Sequence, residues 1–337
     1  EFNSEGAGRV AWVADDAGSA DSFVCVELTS RGGLSRYGVP FGEGFMTLQG
    51  VLAPIPTPFQ DEVLDLEALA RNVTHWMGTE LAGIVVLGTN GEAAHVDDAE
   101  ADRLIAKTRE ITPAERTLIA GTARESTRAT IAATRRAGEL GVDAVLVRTP
   151  SFFKSLMTSD ALIDHFQAVA DASSVPVLLY NIPQVTGVNL SAATVARLAE
   201  HPNITGIKDS SGNVLQISQL VDATGSEFQI AVGSAQTFYA SLCVGAVGGV
   251  LALACLQPAL CVRLRQLVLE SDLDNALALQ QRLIPLAEMV TSRFGVPGLK
   301  AALDLLGLAG GDPRFPLKTC STDVVEEIRS ALSALEA

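Results

Sequence analysis

The segment Val175–Lys208, VPVLLYNIPQVTGVNLSAATVARLAEHPNITGIK, contains the pattern that decides the fold. An apolar run ends in polar residues, a turn marked by Pro183 and Gly187 follows, and an amphipathic helical stretch occupies 191–200. A second apolar run then ends at Lys208. Runs that are apolar along their whole length are typical of parallel strands covered on both faces. The segment therefore predicts a strand–helix–strand unit in a parallel sheet.

The same unit recurs along the chain. Helix-like stretches such as 64–79, 97–111, 126–140 and 158–172 separate the apolar runs. Eight such units in series indicate an α/β fold, a closed (β/α)8 TIM barrel. The alternative, an open doubly wound sheet, usually carries an early GxGxxG phosphate motif that this chain lacks. The eight predicted strands are 51–55, 83–87, 117–120, 144–147, 175–180, 204–208, 229–232 and 248–253.

We assign the predicted barrel to residues 46–257, and two regions lie outside it. Residues 1–45 are rich in Gly and Ser and show little periodicity. They fit neither a signal peptide nor an organellar transit peptide, so we predict an N-terminal extension or a leader added for expression. Residues 258–337 are predicted to be a C-terminal helical extension with three helices, at 258–290, 296–308 and 322–336.

The charge and composition of the chain argue against several classes of function. The 337 residues include 24 Lys+Arg against 39 Asp+Glu, a formal net charge of −15, which disfavours a nucleic-acid partner. The longest apolar stretches, such as 242–256, are too short and too glycine-rich to span a membrane. The five cysteines form no CxxC and the four histidines form no HxxxH. We therefore expect no metal, and a reducing compartment, cytoplasm or mitochondrial matrix rather than secretion.

Lys208 is the strongest candidate for chemistry. Active sites of such barrels lie at the C-terminal ends of the strands, and Lys208 alone among five lysines ends an apolar strand run. A lysine that points into a closed barrel is costly unless its charge is paired or its pKa falls. An amine of lowered pKa attacks ketones to form a Schiff base. A structural salt bridge with Asp209 or Glu92 is the alternative interpretation.

Two further groups follow neighbouring strands. Tyr180 ends the preceding strand, about 4.8 Å away, so its phenol can shuttle protons near Lys208 or merely satisfy a backbone group. The turn Gly88–Glu92 offers a hydroxyl, an amide and successive backbone N–H groups. Such a turn binds a small carboxylate, although Asn-Gly is also an ordinary turn dipeptide.

Three motifs together resemble the dihydrodipicolinate synthase / N-acetylneuraminate lyase family of class I pyruvate aldolases. They are Gly88–Glu92, Tyr180–Pro183 and Gly206–Asp209, in the family's order and spacing, and the likeness extends over about 49–317. The resemblance implies a homotetramer that needs no cofactor. It makes Lys208 the Schiff-base residue and Tyr180 the proton shuttle. The implied substrate-binding residues are Thr89 and Asn90 for the pyruvate carboxylate, and Ser210, Gly233 and Ser234 for the variable half of the substrate.

The chain departs from the synthase branch of that family at three places. Synthases usually have Thr-Thr where this chain has Thr89-Asn90, and an arginine for the aldehyde carboxylate where it has Val185. Their tyrosine pair, which completes a proton relay, is replaced by Phe152 and Phe153.

Three features resemble the 4-hydroxy-2-oxoglutarate aldolase branch, which releases pyruvate and an aldehyde, glyoxylate: Asn90, the run Lys208–Ser210 and the segment Arg293–Lys300. A 2-keto-3-deoxy sugar-acid (3-deoxy-hexulosonate) aldolase is the next alternative, followed by 4-hydroxy-tetrahydrodipicolinate synthase. A non-catalytic 2-oxo-acid sensor and a metal-dependent aldolase are the alternatives from other classes.

Overall fold

The computed structural model describes residues 10–14, 23–27 and 48–336. The chain divides into two compact units, residues 1–43 and 44–337. In the first unit, strands β1 (Val10–Ala14) and β2 (Phe23–Glu27) pair antiparallel. The rest of the predicted extension lies outside the described residues, and its assignment stays a prediction.

Eight parallel strands of the second unit close into a barrel. Each strand pairs with the next one along the chain, and the last strand pairs with the first. The predicted (β/α)8 TIM barrel is confirmed, and a strand is present in each predicted run. A short hairpin of β4 (Phe59–Gln60) and β5 (Val63–Leu64) follows the first barrel strand. The barrel strands are β3 (Gly50–Pro54), β6 (Gly83–Val86), β7 (Thr117–Gly121), β8 (Ala144–Arg148), β9 (Val177–Asn181), β10 (Ile204–Asp209), β11 (Gln229–Val232) and β12 (Gly248–Val250).

Six of the eight α-helices between the barrel strands follow a residue whose side chain caps the helix N-terminus. The side chains of Asp65, Asp97, Ser126 and Thr158 each accept a hydrogen bond from a backbone N–H in the first turn. No helix among the described residues is both long and apolar enough to cross a bilayer. The helices are α1 (Leu66–Met77), α2 (Asp98–Ile111), α3 (Thr127–Glu139), α4 (Ser159–Ala172), α5 (Pro183–Thr186), α6 (Ala192–Ala199), α7 (Val214–Ala223) and α8 (Phe238–Cys243).

Alternation along the strands separates two buried layers. Outward-facing side chains such as Ile207 pack with the helices, whereas inward-facing side chains such as Tyr180 and Ala231 form a small cluster inside the barrel. Lys208 lies in register between Tyr180 of β9 and Ala231 of β11. Side chains in register on neighbouring strands share a face. The Lys208 side chain therefore belongs to the barrel interior.

The C-terminal extension contains four α-helices within residues 258–336, and the predicted single helix 258–290 is wrong. The helix is interrupted at Ser271 because this residue adopts a left-handed φ of 61° and the Asp272 side chain caps a new helix. A π-helix, Met289–Arg293, continues the second of these helices. The α-helices are α9 (Pro258–Leu269), α10 (Leu273–Glu288), α11 (Gly295–Leu305) and α12 (Thr322–Glu336).

The imidazole of His165 on α4 is buried without a full set of partners. Its Nδ1 lies 2.9 Å from Thr127 Oγ1, and its Nε2 has no hydrogen-bond partner among the described residues. Burial lowers the pKa of His165 from 6.5 to about 4, and the charge of Glu125 opposes the shift. As the pH falls below 6.5 the unfolded chain binds a proton that the folded protein takes up only near pH 4. Stability is therefore lost over this range.

We predict that His165 alone lowers the free energy of unfolding by about 2 to 3 kcal/mol between pH 7 and pH 4.5. A His165→Asn variant keeps an amide opposite Thr127 but does not titrate. The stability difference between wild type and variant, measured by urea unfolding, should therefore shrink by that amount on acidification. A difference that is the same at both pH values would contradict this account.

Candidate active site

One cavity at the C-terminal end of the barrel collects every predicted site residue. Its volume is about 390 Å³. The barrel order explains the convergence, because the residues lie at or just after the C-terminal ends of β6, β9, β10 and β11, which face the same opening. The predicted residues that line the cavity are Thr89, Asn90, Tyr180, Lys208, Ser210, Gly233 and Ser234.

Lys208 and Tyr180 are neighbours on adjacent strands. The Nζ of Lys208 lies 4.4 Å from the centroid of the Tyr180 ring. The Tyr180 hydroxyl lies 3.1 Å from Thr89 Oγ1, within hydrogen-bond distance. Both Lys208 and Tyr180 are buried. The Thr89 hydroxyl, the Tyr180 phenol and the Lys208 amine therefore lie next to one another in the cavity, which suits proton transfer to and from a group bound at the amine.

Neither predicted carboxylate partner pairs with Lys208. The Asp209 carboxylate accepts hydrogen bonds from Asn181 Nδ2 at 2.7 Å and from Gln216 Nε2 at 2.6 Å. Glu92 instead pairs with Lys300, at 2.6 Å between Nζ and Oε1. Lys208 makes no ion pair within the described part of the chain. The salt-bridge interpretation of Lys208 is therefore wrong, and its amine is left for chemistry.

The turn after β6 is fixed from both sides and leaves donors free. Thr57 Oγ1 donates to the carbonyl of Gly91 at 2.7 Å, and Asn90 Nδ2 donates to the carbonyl of Pro54 at 3.4 Å. No hydrogen bond between described residues uses the backbone N–H of Thr89 or Asn90. Two consecutive free N–H groups attract an anion. This geometry suits the carboxylate of a small oxo acid.

Gly233 makes room for the side chains of Lys208 and Ser210. A Cβ at this position would lie 1.9 Å from Ser210 Oγ and 3.0 Å from Lys208 Cε. The backbone is tied to the same strand, since Gly233 N–H donates to the carbonyl of Asp209 at 2.7 Å. The absence of a side chain at Gly233 therefore allows the Lys208 stem to pass.

The far wall of the cavity combines Ser234, which was predicted, with Gln236 and Ser292, which sequence reasoning missed. Gln236 Nε2 donates to Ser292 Oγ at 3.3 Å, and Ser234 Oγ donates to Gln236 Oε1 at 3.4 Å. Ser292 belongs to the π-helix of the C-terminal extension, and no motif in the sequence places that helix over the barrel. Among the residues that line this cavity, Lys208 is the only one with a charged side chain. The far wall therefore presents hydroxyl and amide groups.

A second cavity of about 490 Å³ lies on the other side of Thr89 and Tyr180. It contains Arg148, whose Nη2 donates to Glu125 Oε1 at 2.8 Å. The aromatic pair Phe152 and Phe153 lies outside the linings of both cavities and is 78% and 65% exposed. The pair thus brings no phenol to Tyr180 in this chain.

Comparison with known proteins decides the family. A model of the dihydrodipicolinate synthetase family matches residues 47–335. The chain belongs to this family. Members are class I pyruvate-dependent lyases and aldolases, so the protein is an enzyme of that class.

Individual family relatives carry two enzyme names. A 4-hydroxy-tetrahydrodipicolinate synthase from Exiguobacterium is 36% identical, over 84% of this chain and 96% of the relative. A protein of Emericella nidulans named "Probable 4-hydroxy-2-oxoglutarate aldolase, mitochondrial" is 34% identical, over 84% of this chain and 94% of the relative. The solved 4-hydroxy-tetrahydrodipicolinate synthase of Methylacidiphilum fumariolicum superposes with a TM-score of 0.82 at 35% identity, covering 86% of this chain and 96% of that one.

The family does not by itself test the metal prediction. Among the described residues, no group of three or more His, Cys, Asp and Glu side chains is arranged to hold a metal ion. The absence of a metal cofactor stays a prediction.

Gly233→Ala should reduce catalysis without unfolding the protein. The new methyl group displaces Ser210 Oγ and the Lys208 stem, and a shift of about 1 Å in a reacting group costs roughly 100-fold in rate. Pyruvate formation by the purified variant measures the effect. Gly225→Ala is the matched control, because a Cβ at Gly225 meets nothing within 4 Å. Wild-type rates in Gly233→Ala would refute the packing argument.

Proposed function

We propose that the protein is an imine-forming aldolase that cleaves a 4-hydroxy-2-oxo acid, such as 4-hydroxy-2-oxoglutarate, into pyruvate and an aldehyde, glyoxylate. The reverse condensation uses the same site. The observation that supports this proposal most strongly is the buried amine of Lys208, which has no ion pair within the described chain and lies 4.4 Å from the Tyr180 ring centroid.

Lys208 supplies the electron sink for the reaction. Its Nζ adds to the C2 ketone of the substrate, and loss of water gives a protonated imine. The C3–C4 bond then breaks, its electrons move toward the imine nitrogen, and the C4 hydroxyl loses its proton to leave an aldehyde. The remaining enamine takes a proton at C3. Hydrolysis of the resulting imine releases pyruvate and restores the free amine.

Tyr180 is placed to move protons in these steps. Its hydroxyl is 3.1 Å from Thr89 Oγ1 and on the same wall as the Lys208 amine. The phenol gives its proton to the hydroxyl that leaves as water during imine formation, and the phenolate that this step produces accepts the proton of the C4 hydroxyl. With no phenol from Phe152 or Phe153, the relay within this chain consists of Thr89 and Tyr180.

The backbone N–H groups of Thr89 and Asn90 are proposed to bind the pyruvate carboxylate. They are free of other hydrogen bonds between described residues, and their turn lies in the same cavity as Lys208. Ser210, Gly233 and Ser234 lie on the opposite flank of the amine and face the variable half of the substrate. In this proposal the carboxylate end of the substrate lies at the turn, and the end that becomes the aldehyde points toward the far wall.

Val185 argues against the synthase activity. In the synthases an arginine at this position binds the carboxylate of the aldehyde partner, whereas Val185 lines the cavity and is 63% exposed. No arginine lines this cavity. The Emericella relative, at 34% identity, supports the 4-hydroxy-2-oxoglutarate assignment.

The second candidate is a 2-keto-3-deoxy sugar-acid aldolase. The far wall presents Ser234, Gln236 and Ser292, which are linked by hydrogen bonds of 3.3 and 3.4 Å. Hydroxyl and amide groups both donate and accept, so they suit the neutral polyhydroxylated tail of a 3-deoxy-hexulosonate. The two candidates share the chemistry at Lys208 and differ only in the aldehyde.

We also infer a homotetramer in the cytoplasm or the mitochondrial matrix. The family supports the assembly, and the cysteines support a reducing compartment. Cys255 and Cys261 are free and buried, and burial raises the pKa of the Cys261 thiol to about 12. Thiols of this kind act as small apolar groups.

The assignment predicts that purified protein releases pyruvate and glyoxylate from 4-hydroxy-2-oxoglutarate. Lys208→Ala should abolish pyruvate release because the nucleophile is lost, whereas Lys107→Ala, at a lysine outside the cavity, should not change it. Val185→Arg should lower the KM for acidic aldehydes in the condensation by about tenfold, the effect of one charged hydrogen bond.

A parallel assay with 3-deoxy-hexulosonate and with pyruvate plus aspartate semialdehyde separates the candidates. A higher kcat/KM on the sugar acid selects the second candidate. Condensation with aspartate semialdehyde as the only activity, or aldol cleavage by Lys208→Ala, contradicts the proposal.

A further inference from the structure

A buried ion pair lies directly behind the turn Gly88–Glu92. Glu92 is the last residue of this turn, and Lys300 belongs to α11 in the C-terminal extension. Their side chains are 2.6 Å apart, and each is 1% exposed. Neither residue lines the cavity that contains Lys208. The pair therefore connects the C-terminal extension to the turn without touching the reacting atoms.

Both members of the pair have further partners. Glu92 Oε2 accepts a hydrogen bond from the backbone N–H of Arg314 at 2.9 Å, and Lys300 Nζ donates to the carbonyl of Asp312 at 2.8 Å. The ammonium group also lies 4.7 Å from the centroid of the Phe59 ring. These contacts define one position for the Glu92 carboxylate, between α11 and the loop that follows it.

Such a pair contributes little net stability. Removing two charges from water costs free energy that their attraction barely repays, and well-packed apolar replacements are often as stable or more so. Burial accordingly lowers the pKa of Lys300, with the Glu92 carboxylate opposing the shift. Stability alone therefore does not explain why Glu92 and Lys300 are buried together. A buried ion pair can also hold the backbone that carries it in one geometry.

The turn itself needs an anchor. Leu87, directly before the turn, and Glu92, its last residue, have left-handed φ values of 57° and 53°, a conformation that residues with a Cβ adopt at a cost. Between them lie Thr89 and Asn90 with their free N–H groups. If Glu92 were released, the turn would relax toward commoner backbone angles and those N–H groups would lose their common direction.

Arg314, in the loop that follows α11, makes a further set of contacts in the same region. Arg314 binds Glu100 on α2 with two hydrogen bonds of 2.7 Å and donates to the carbonyl of His95 at 2.7 Å. Its guanidinium group lies 4.2 Å from the centroid of the Phe59 ring. The loop around Arg314 is thus bound to α2 and to Phe59 as well as to Glu92, so this partner of the Glu92 carboxylate is itself held in place.

We propose that Glu92 and Lys300 are positioning residues, whose ion pair holds the backbone N–H groups of Thr89 and Asn90 in the direction that binds the pyruvate carboxylate. This inference depends on the proposed function, since it assumes that pyruvate binds at that turn. The π-helix that carries Ser292 directly precedes α11, so this part of the C-terminal extension contributes both to the anchor of the turn and to the far wall of the cavity.

The double variant Glu92→Gln/Lys300→Met tests the proposal. It removes both charges with side chains of similar size, so no unpaired charge is left in the interior. We expect the variant to fold, with a Tm close to that of wild type. The pyruvate concentration that gives half-maximal borohydride-dependent modification of Lys208 should rise roughly tenfold, the loss of one oriented hydrogen bond to a charged group. The amount of adduct at saturating pyruvate should stay unchanged.

The matched control applies the same replacements to an exposed pair. Lys107 and Glu110 on α2 are 3.1 Å apart with side chains 23% and 66% exposed, and Lys107→Met/Glu110→Gln should leave the half-maximal concentration at the wild-type value. A folded Glu92→Gln/Lys300→Met variant with wild-type half-saturation overturns the positioning role.

If the double variant does not fold, Glu92→Asp takes its place, because it keeps the charge but shortens the reach to Lys300. The same rise in half-saturation is expected, and an unchanged value overturns the proposal. A wild-type protein that forms no adduct at any pyruvate concentration overturns the proposed function first, and that result is distinguishable from a failure of the pair alone.

Discussion

The side-chain nitrogen of Lys208 lies inside the barrel with no carboxylate paired to it, and the arrangement of the neighbouring carboxylates maintains this condition. Asp209, the next residue in the chain, is fully engaged by Asn181, Gln216 and the backbone N–H of Ser211. Glu92 is engaged by Lys300. An amine with a permanent ion pair is a poor nucleophile, because its proton is stabilised. Lys208, which has no carboxylate partner among the described residues, is therefore suited to act as a nucleophile, whereas Lys300, which is paired with Glu92, has a structural role.

The C-terminal extension is part of the site as well as of the fold. Its π-helix contributes Ser292 to the far wall of the cavity, and α11 contributes Lys300 to the anchor of the turn. The barrel supplies the amine and the phenol, whereas the extension helps to shape the space around them. Substitutions in the extension are therefore expected to change substrate choice more than the chemistry at Lys208.

Much of this arrangement follows from local sequence patterns. The apolar runs predict the eight strands, and a single lysine at the end of one run identifies Lys208, because both features depend on neighbours in the chain. The partners of Asp209 and Glu92 could not be predicted, since Gln216 and Lys300 reach them from other elements. The break at Ser271 was also missed, because helical stretches continue on both sides of it, although Ser271 and Asp272 are of residue types that favour turns and helix N-caps.

The most direct test of this account is to reduce the protein with borohydride in the presence of pyruvate and to locate the adduct by peptide mass spectrometry. The chain has five lysines, of which Lys208 and Lys300 are buried. The account predicts a pyruvyl-sized addition on the peptide that contains Lys208 and none on the peptide that contains Lys300. A folded protein without an adduct, or with one at Lys300 instead, would contradict it.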